Sequence, residues 1–126
     1  MIDTPSEHYL AGQMALEVLR HIPPLPDNSH LFHDGIEAAL RRRGFVVRRE
    51  AEVSIRESGR GPGRIDLLAQ YHGGFVALEL DNRSPRSKSI DKLRAFNAFR
   101  IVVMRGAEPW SEERGIDAII SVPVIA

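Results

Sequence analysis

Apolar and polar positions are most sharply ordered along residues 64–81, RIDLLAQYHGGFVALELD, where β-prone residues run up to His72-Gly73-Gly74 and resume after it. This pattern predicts two strands joined by a tight turn. Ahead of it, Phe45-Val46-Val47 begins a strand that continues, bent or bulged, through Val53 and Ile55. Behind it, a helix is expected over 88–98, with Ile90, Leu93, Phe96 and Phe99 turned to the sheet. Residues 100–105, RIVVMR, then read as a short strand buried on both faces. Helical spacing recurs twice nearer the N-terminus. Over 5–21 the apolar positions are Tyr9, Leu10, Met14, Leu16, Val18 and Leu19, with Ser6 as N-cap. Over 30–43 they are Leu31, Phe32, Ile36, Ala39 and Leu40, capped by Asn28 or Ser29 and ended by Gly44. Pro23-Pro24-Leu25-Pro26 separates the two helices as a stiff connector, because proline cannot continue a helix. The tail carries the only tryptophan, Trp110, and a last apolar strand from Ile116 to Val124.

The 126 residues suffice for one domain and not for two ordinary ones. A single α/β domain over 1–126 is expected, with three parts. Residues 1–28 form a peripheral N-terminal helix and proline-rich connector. Residues 30–105 form an αβββαβ core in which a mixed central sheet is flanked by helices. Residues 106–126 form a C-terminal extension.

Composition narrows the class without naming a function. An apolar content of 43% with 27% charged residues is that of a folded, water-exposed protein. No apolar run reaches bilayer length, and MIDTPSEHYL lacks the regions of a signal peptide, so no membrane partner and a cytoplasmic location are expected. The absence of cysteine excludes disulfides and thiolate metal sites. The net charge of zero hides an uneven distribution: residues 41–105 hold 15 Lys/Arg against 7 Asp/Glu, and the flanks hold 2 against 10. A basic middle segment suits a polyanionic partner, and a solvated surface of mixed charge accounts for it equally well.

Three acids stand inside that basic segment. Asp66 lies near the start of the first hairpin strand, while Glu79 and Asp81 end the second and share a face by the two-residue period. Pairing across the hairpin brings Asp66 level with Glu79 and Asp81. Clustered carboxylates in an apolar hairpin repel one another and resist desolvation, and a divalent cation is the partner that would compensate them. His33 and Glu37 share a helix face one turn apart, which lets the pair face a site or simply solvent. The glycine-rich stretch 58–63 is not a phosphate-cradling loop, since no GK[ST] follows and the next element is a strand.

The order helix, strand, strand, strand, helix, strand, with Glu37 on the helix, Gly44-Phe45 leading into the first strand, Ile65-Asp66 on the second and Glu79-Leu80-Asp81 on the third, resembles the PD-(D/E)xK nuclease superfamily. The RRRGF stretch after the helix-borne Glu37 is most similar to the small Holliday-junction-resolvase-like members. The resemblance covers about 30–105 and implies a restriction-endonuclease-like fold. It also implies a metal-dependent DNA endonuclease with Mg²⁺ or Mn²⁺ as cofactor, structure-specific or repair-related. DNA is the implied partner, with RNA also admissible, and a homodimer is in keeping with one domain cutting one strand.

The resemblance assigns metal binding to Asp66, Glu79, the Leu80 backbone carbonyl and Glu37. Its catalytic set is Asp66, Glu79, Asp81, Lys88 and Glu37. Arg60, Arg64, Arg83, Arg86, Lys88 and Lys92 would contact nucleic acid. One departure matters. The family usually places lysine two residues after the Glu, where this chain has Asp81. Some members take that lysine from the adjacent helix, so Lys88, Lys92 and Arg83 are the candidates. If none reaches the acids, the alternative is a catalytically inactive nuclease-fold module for DNA binding or assembly.

Overall fold

The structure, a computed structural model, describes residues 6–54, 62–82, 87–106 and 115–125. A five-stranded mixed sheet is flanked by helices on both faces. Its strands are β2 (Val46–Ser54), β3 (Pro62–Tyr71), β4 (Gly74–Asp81), β5 (Phe99–Arg105) and β6 (Ala118–Val122), in that spatial order. The pairs β2–β3 and β3–β4 are antiparallel, while β4–β5 and β5–β6 are parallel. On one face lie α1 (Glu7–Arg20) and α2 (Ser29–Arg42), and on the other α3 (Ser87–Arg94).

Strand periodicity sorts the core. Val76, Leu78 and Leu80 of β4 join Ile101 and Val103 of β5 beneath Ala15, Leu19, Phe32 and Ile36 of the first two helices. Ala77 of β4 and Val102 and Met104 of β5 point the other way, to Leu93 of α3. Glu79 and Asp81 share parity with Ala77 and therefore face α3.

The N-terminal helix is not peripheral. Ala11, Ala15, Leu16 and Leu19 of α1 are buried over the sheet. Small residues form part of the contact face, because they let the helix approach closely. A Cβ on Gly12 would lie 2.1 Å from the Phe99 ring, and one on Gly74 would lie 2.0 Å from the Glu7 carbonyl oxygen. The caps agree with expectation: Ser6 accepts from the Tyr9 N–H and Asn28 from the Leu31 N–H.

Three further expectations are corrected. The described part of the expected C-terminal extension is not separate from the core, since β6 is an edge strand of the main sheet. Leu25 and Pro26, expected as plain connector, form the two-residue strand β1, which pairs in parallel with β7 (Val124–Ile125). The N–H groups of Leu25 and Asp27 donate to Pro123 and Ile125, so the missing donor of Pro26 costs nothing. Finally, α3 stops at Arg94, four residues early. The Arg100 guanidinium donates to the carbonyl of Arg94, one of the groups a helix end leaves orphaned, and to that of Phe96 just beyond it. Phe99 consequently belongs to β5 and packs under α1 rather than lying on α3.

Candidate active site at the opening of the central hairpin

The central hairpin is regular from Tyr71↔Gly74 to Leu67↔Leu78, and there the β3–β4 register ends. On the other side of β3 the register with β2 runs to Arg49↔Leu67 and resumes at Ala51↔Ile65, passing over Glu50 and Asp66. Glu50 has φ of 53°, a left-handed conformation uncommon outside glycine. The kink reverses the faces of both strands: Val47 and Leu67 lie toward α1 and α2, whereas Ala51 and Ile65 lie toward α3. Asp66 sits at this reversal.

Beyond the last rung, side chains replace the ladder. The Asp66 N–H donates to Glu79 Oε2 at 2.7 Å, and the Leu80 N–H donates to Asp66 Oδ2 at 2.8 Å. Each carboxylate thus takes the backbone donor of the opposite strand. Lys92, from α3, enters the same opening. Its Nζ donates to the Arg64 carbonyl at 2.9 Å and ion-pairs with Glu79 Oε1, which receives no other hydrogen bond. Three backbone groups at the split, the N–H of Asp66 and of Leu80 and the carbonyl of Arg64, thus find side-chain partners.

Burial sets the electrostatics. Glu79 is fully buried and Lys92 is 8% exposed. Burial, followed by the neighbouring Asp66 carboxylate and its hydrogen bond, pushes the Glu79 carboxyl up to about 8 against the opposing pull of Lys92. The Lys92 ammonium meets Glu79, while Asp66 touches Glu79 through the backbone hydrogen bond between them.

The other expected members take different places. Asp81 does not join the pair: it is buried and accepts from the Ser89 hydroxyl at 2.9 Å. Glu37 is not in the cluster either. It takes Arg41 Nε at 2.8 Å and Arg49, in a surface group that also holds Asp34. Among the described residues no group of three or more His, Asp or Glu side chains is arranged to hold a metal ion, so the expected convergence of Asp66, Glu79 and Asp81 is reduced to two acids. Strand parity placed 79 and 81 on one face, but it carried no information about the hydroxyl that claims Asp81.

Among the basic candidates, Lys92 reaches the acids, whereas Lys88 is exposed at the start of α3. Lys92, expected to contact nucleic acid from the surface, is buried instead. The Arg64 side chain is exposed and its carbonyl accepts from Lys92. Arg60, Arg83 and Arg86, like Trp110 and most of the glycine-rich turn, lie outside the described residues. Sequence reasoning missed Ser89 altogether. The available signal was the spacing of Ser89 and Lys92, three apart on the helix face that carries Ile90 and Leu93.

The donor chemistry fits a hard divalent cation. Asp66 and Glu79 offer adjacent carboxylate oxygens, the type such ions prefer. Burial is the main cause of the raised Glu79 proton affinity, and the neighbouring Asp66 carboxylate adds a repulsion that a cation would offset. No helix among the described residues is long and apolar enough to cross a membrane. No protein-family model matches the chain, and no curated protein matches it in sequence.

Proposed function

We propose that the protein is a metal-dependent phosphodiester hydrolase acting on DNA, with a restriction-endonuclease-like core. The observation that carries this reading is the Asp66–Glu79–Lys92 cluster at the point where the central hairpin opens. It supplies the two acids and the lysine of the PD-(D/E)xK pattern, with the lysine drawn from α3 in place of the usual position, which Asp81 occupies. The basic excess of residues 41–105 suits the polyanionic substrate.

Asp66 and Glu79 would hold the ion, and Leu80 would extend the same rim through its backbone. When bound, a divalent cation polarises the scissile phosphate and lowers the pKa of an attacking water. Lys92 is held from two sides, by the Arg64 carbonyl and by Glu79, and its ammonium would offset charge developing on the phosphate. Binding of the ion would expel the proton from Glu79, whose affinity for it is raised by burial and by Asp66. The reciprocal backbone hydrogen bonds keep both carboxylates oriented through that change. A homodimer would allow both strands of a duplex to be cut.

A second reading has its own support. Asp81 is committed to Ser89 and the described residues offer no third acid, which favours a nuclease-fold module that binds DNA without cutting. Cleavage of labelled linear, single-stranded and four-way-junction DNA in Mg²⁺ or Mn²⁺ separates the two. The hydrolase reading expects cutting by the wild type, and losses of about 10²-fold or more in Asp66→Ala, Glu79→Ala and Lys92→Met. Cutting that survives Asp66→Ala would defeat the assignment. DNA binding with no cutting in either metal would establish the second reading.

A further inference from the structure

We propose that Asp81 and Ser89 are a positioning pair: their buried hydrogen bond fixes the register of α3 against β4 and so delivers Lys92 to Glu79. Ser89 is fully buried and donates to Asp81 Oδ1 at 2.9 Å, and Asp81 is 3% exposed. Asp81 stands two residues beyond Glu79 on the face turned to α3, and Ser89 stands three residues before Lys92 on the face turned to β4. Two strand-to-helix contacts therefore run side by side, Asp81 with Ser89 and Glu79 with Lys92.

The helix needs such a device. With eight residues, α3 has little stability of its own, and its apolar anchors are chiefly Ile90 and Leu93. Apolar contact holds a helix against a sheet but is non-directional, so it leaves sliding and rotation weakly determined. A charge-assisted hydrogen bond is directional and costly to leave unmade once buried. Lysine, with its flexible four-carbon stem, gains most from an anchored base one turn away. This assigns Asp81 a purpose other than general base or metal ligand. Its effect on catalysis rests on the hydrolase reading, whereas its effect on the Glu79–Lys92 contact does not.

Two measurements test the pair. In chemical unfolding of the metal-free protein, Ser89→Ala and Lys92→Met are compared singly and together. The effect of Lys92→Met on the unfolding equilibrium constant should shrink by about threefold or more in the Ser89→Ala background. Independent effects would overturn the proposal. In cleavage assays, Asp81→Ala and Ser89→Ala should each lower kcat by about tenfold or more with KM nearly unchanged. Asp81→Asn should retain most activity, because its amide oxygen still accepts the Ser89 hydroxyl. Asp81→Asn as damaging as Asp81→Ala would instead make Asp81 a ligand or base. If the wild type cuts no substrate, the hydrolase reading fails and the unfolding cycle alone decides the pair.

Discussion

Two carboxylate pairs with cationic partners, both among the described residues, are built on opposite terms. On the outer side of α2 and β2, Asp34 and Glu37 meet Arg41 and Arg49, two acids to two guanidinium groups. At the opening of the hairpin, Glu79 meets both Lys92 and, through a backbone hydrogen bond, Asp66. Arg49 is 37% exposed, so the outer group remains in contact with water, whereas Glu79 has no exposure at all. The consequences run in opposite directions. Burial opposes ionisation of Glu37, but hydrogen bonds from Arg41 and Arg49 outweigh it and hold its carboxyl below the usual range. Burial of Glu79, reinforced by Asp66, outweighs Lys92 and raises its carboxyl to about 8. Proximity of acids is common to both groups. What separates a surface ion network from a candidate cation site is a carboxylate buried beside a second one in a dry place.

The largest expected effect of this difference is on stability against pH. In chelator-treated protein, the folded state retains a proton on Glu79 that the unfolded chain releases above its ordinary value of 4.5. Unfolding therefore releases a proton between 4.5 and about 8, and rising pH favours it. This group's contribution is present below 4.5 and is lost as pH climbs through about 8, with a limiting slope of about 1.4 kcal/mol per pH unit. Urea unfolding at a series of pH values should show the decline, and Glu79→Gln should flatten it. A wild-type curve as flat as that of the variant would mean that Glu79 is ionised in the folded protein, and the contrast between the two groups would collapse.

Much of this arrangement was legible from the chain. The hairpin over 64–81 could be read because β-prone runs flank a glycine turn, and its register followed from the turn, which put Asp66 level with Glu79. The caps at Ser6 and Asn28 were legible because capping is local chemistry. What escaped depended on tertiary contact. The burial of α1 rests on Gly12 and two alanines fitting against the sheet, and small residues leave little amphipathic signal. The early end of α3 depends on Arg100 reaching back to its carbonyls. The choice of Lys92 over Lys88, and the diversion of Asp81 to Ser89, depend on the rotation of α3 over β4. Helical periodicity gave Ile90 and Leu93 the inward face, but it did not say that a serine and a lysine on that face would meet two acids.

A second effect should separate the groups by the consequence of removing a cation. Lys92 opposes the rise of the Glu79 carboxyl, so at pH 9 the Lys92→Met variant must either hold Glu79 as an unpaired buried carboxylate or protonate it against the medium, and loss of one member of a buried pair costs about 3 kcal/mol. Urea midpoints at pH 9 and pH 5 should differ in how much the variant loses, with the larger loss at pH 9. On the proposed metal-dependent reading, added Mn²⁺ should recover part of that loss in Lys92→Met, because a bound ion would supply charge where the ammonium did, and none of it once Asp66 is also alanine. An equal loss at both pH values, untouched by Mn²⁺, would make Lys92 a packing residue only.

The smallest effect belongs to the outer group, and its sign is reversed. Glu37 has a lowered carboxyl, so its contribution is present above the ordinary value of 4.5 and is lost as pH falls through its folded value. Glu37→Gln keeps one hydrogen-bond acceptor and removes the charge, and exposed ion pairs contribute about 1 kcal/mol or less. The variant should therefore unfold within about 1 kcal/mol of the wild type at pH 7. The difference should shrink at acid pH and in high salt, where screening weakens surface charges. On the proposed hydrolase reading DNA cleavage should be unchanged, because Glu37 is held by Arg41 and Arg49 rather than joined to Asp66 and Glu79. A loss of cleavage in Glu37→Gln without loss of stability would show that this carboxylate leaves its arginines when substrate binds. The two groups would then be parts of one site, and the boundary between surface network and cation site would have to be redrawn around the substrate-bound protein.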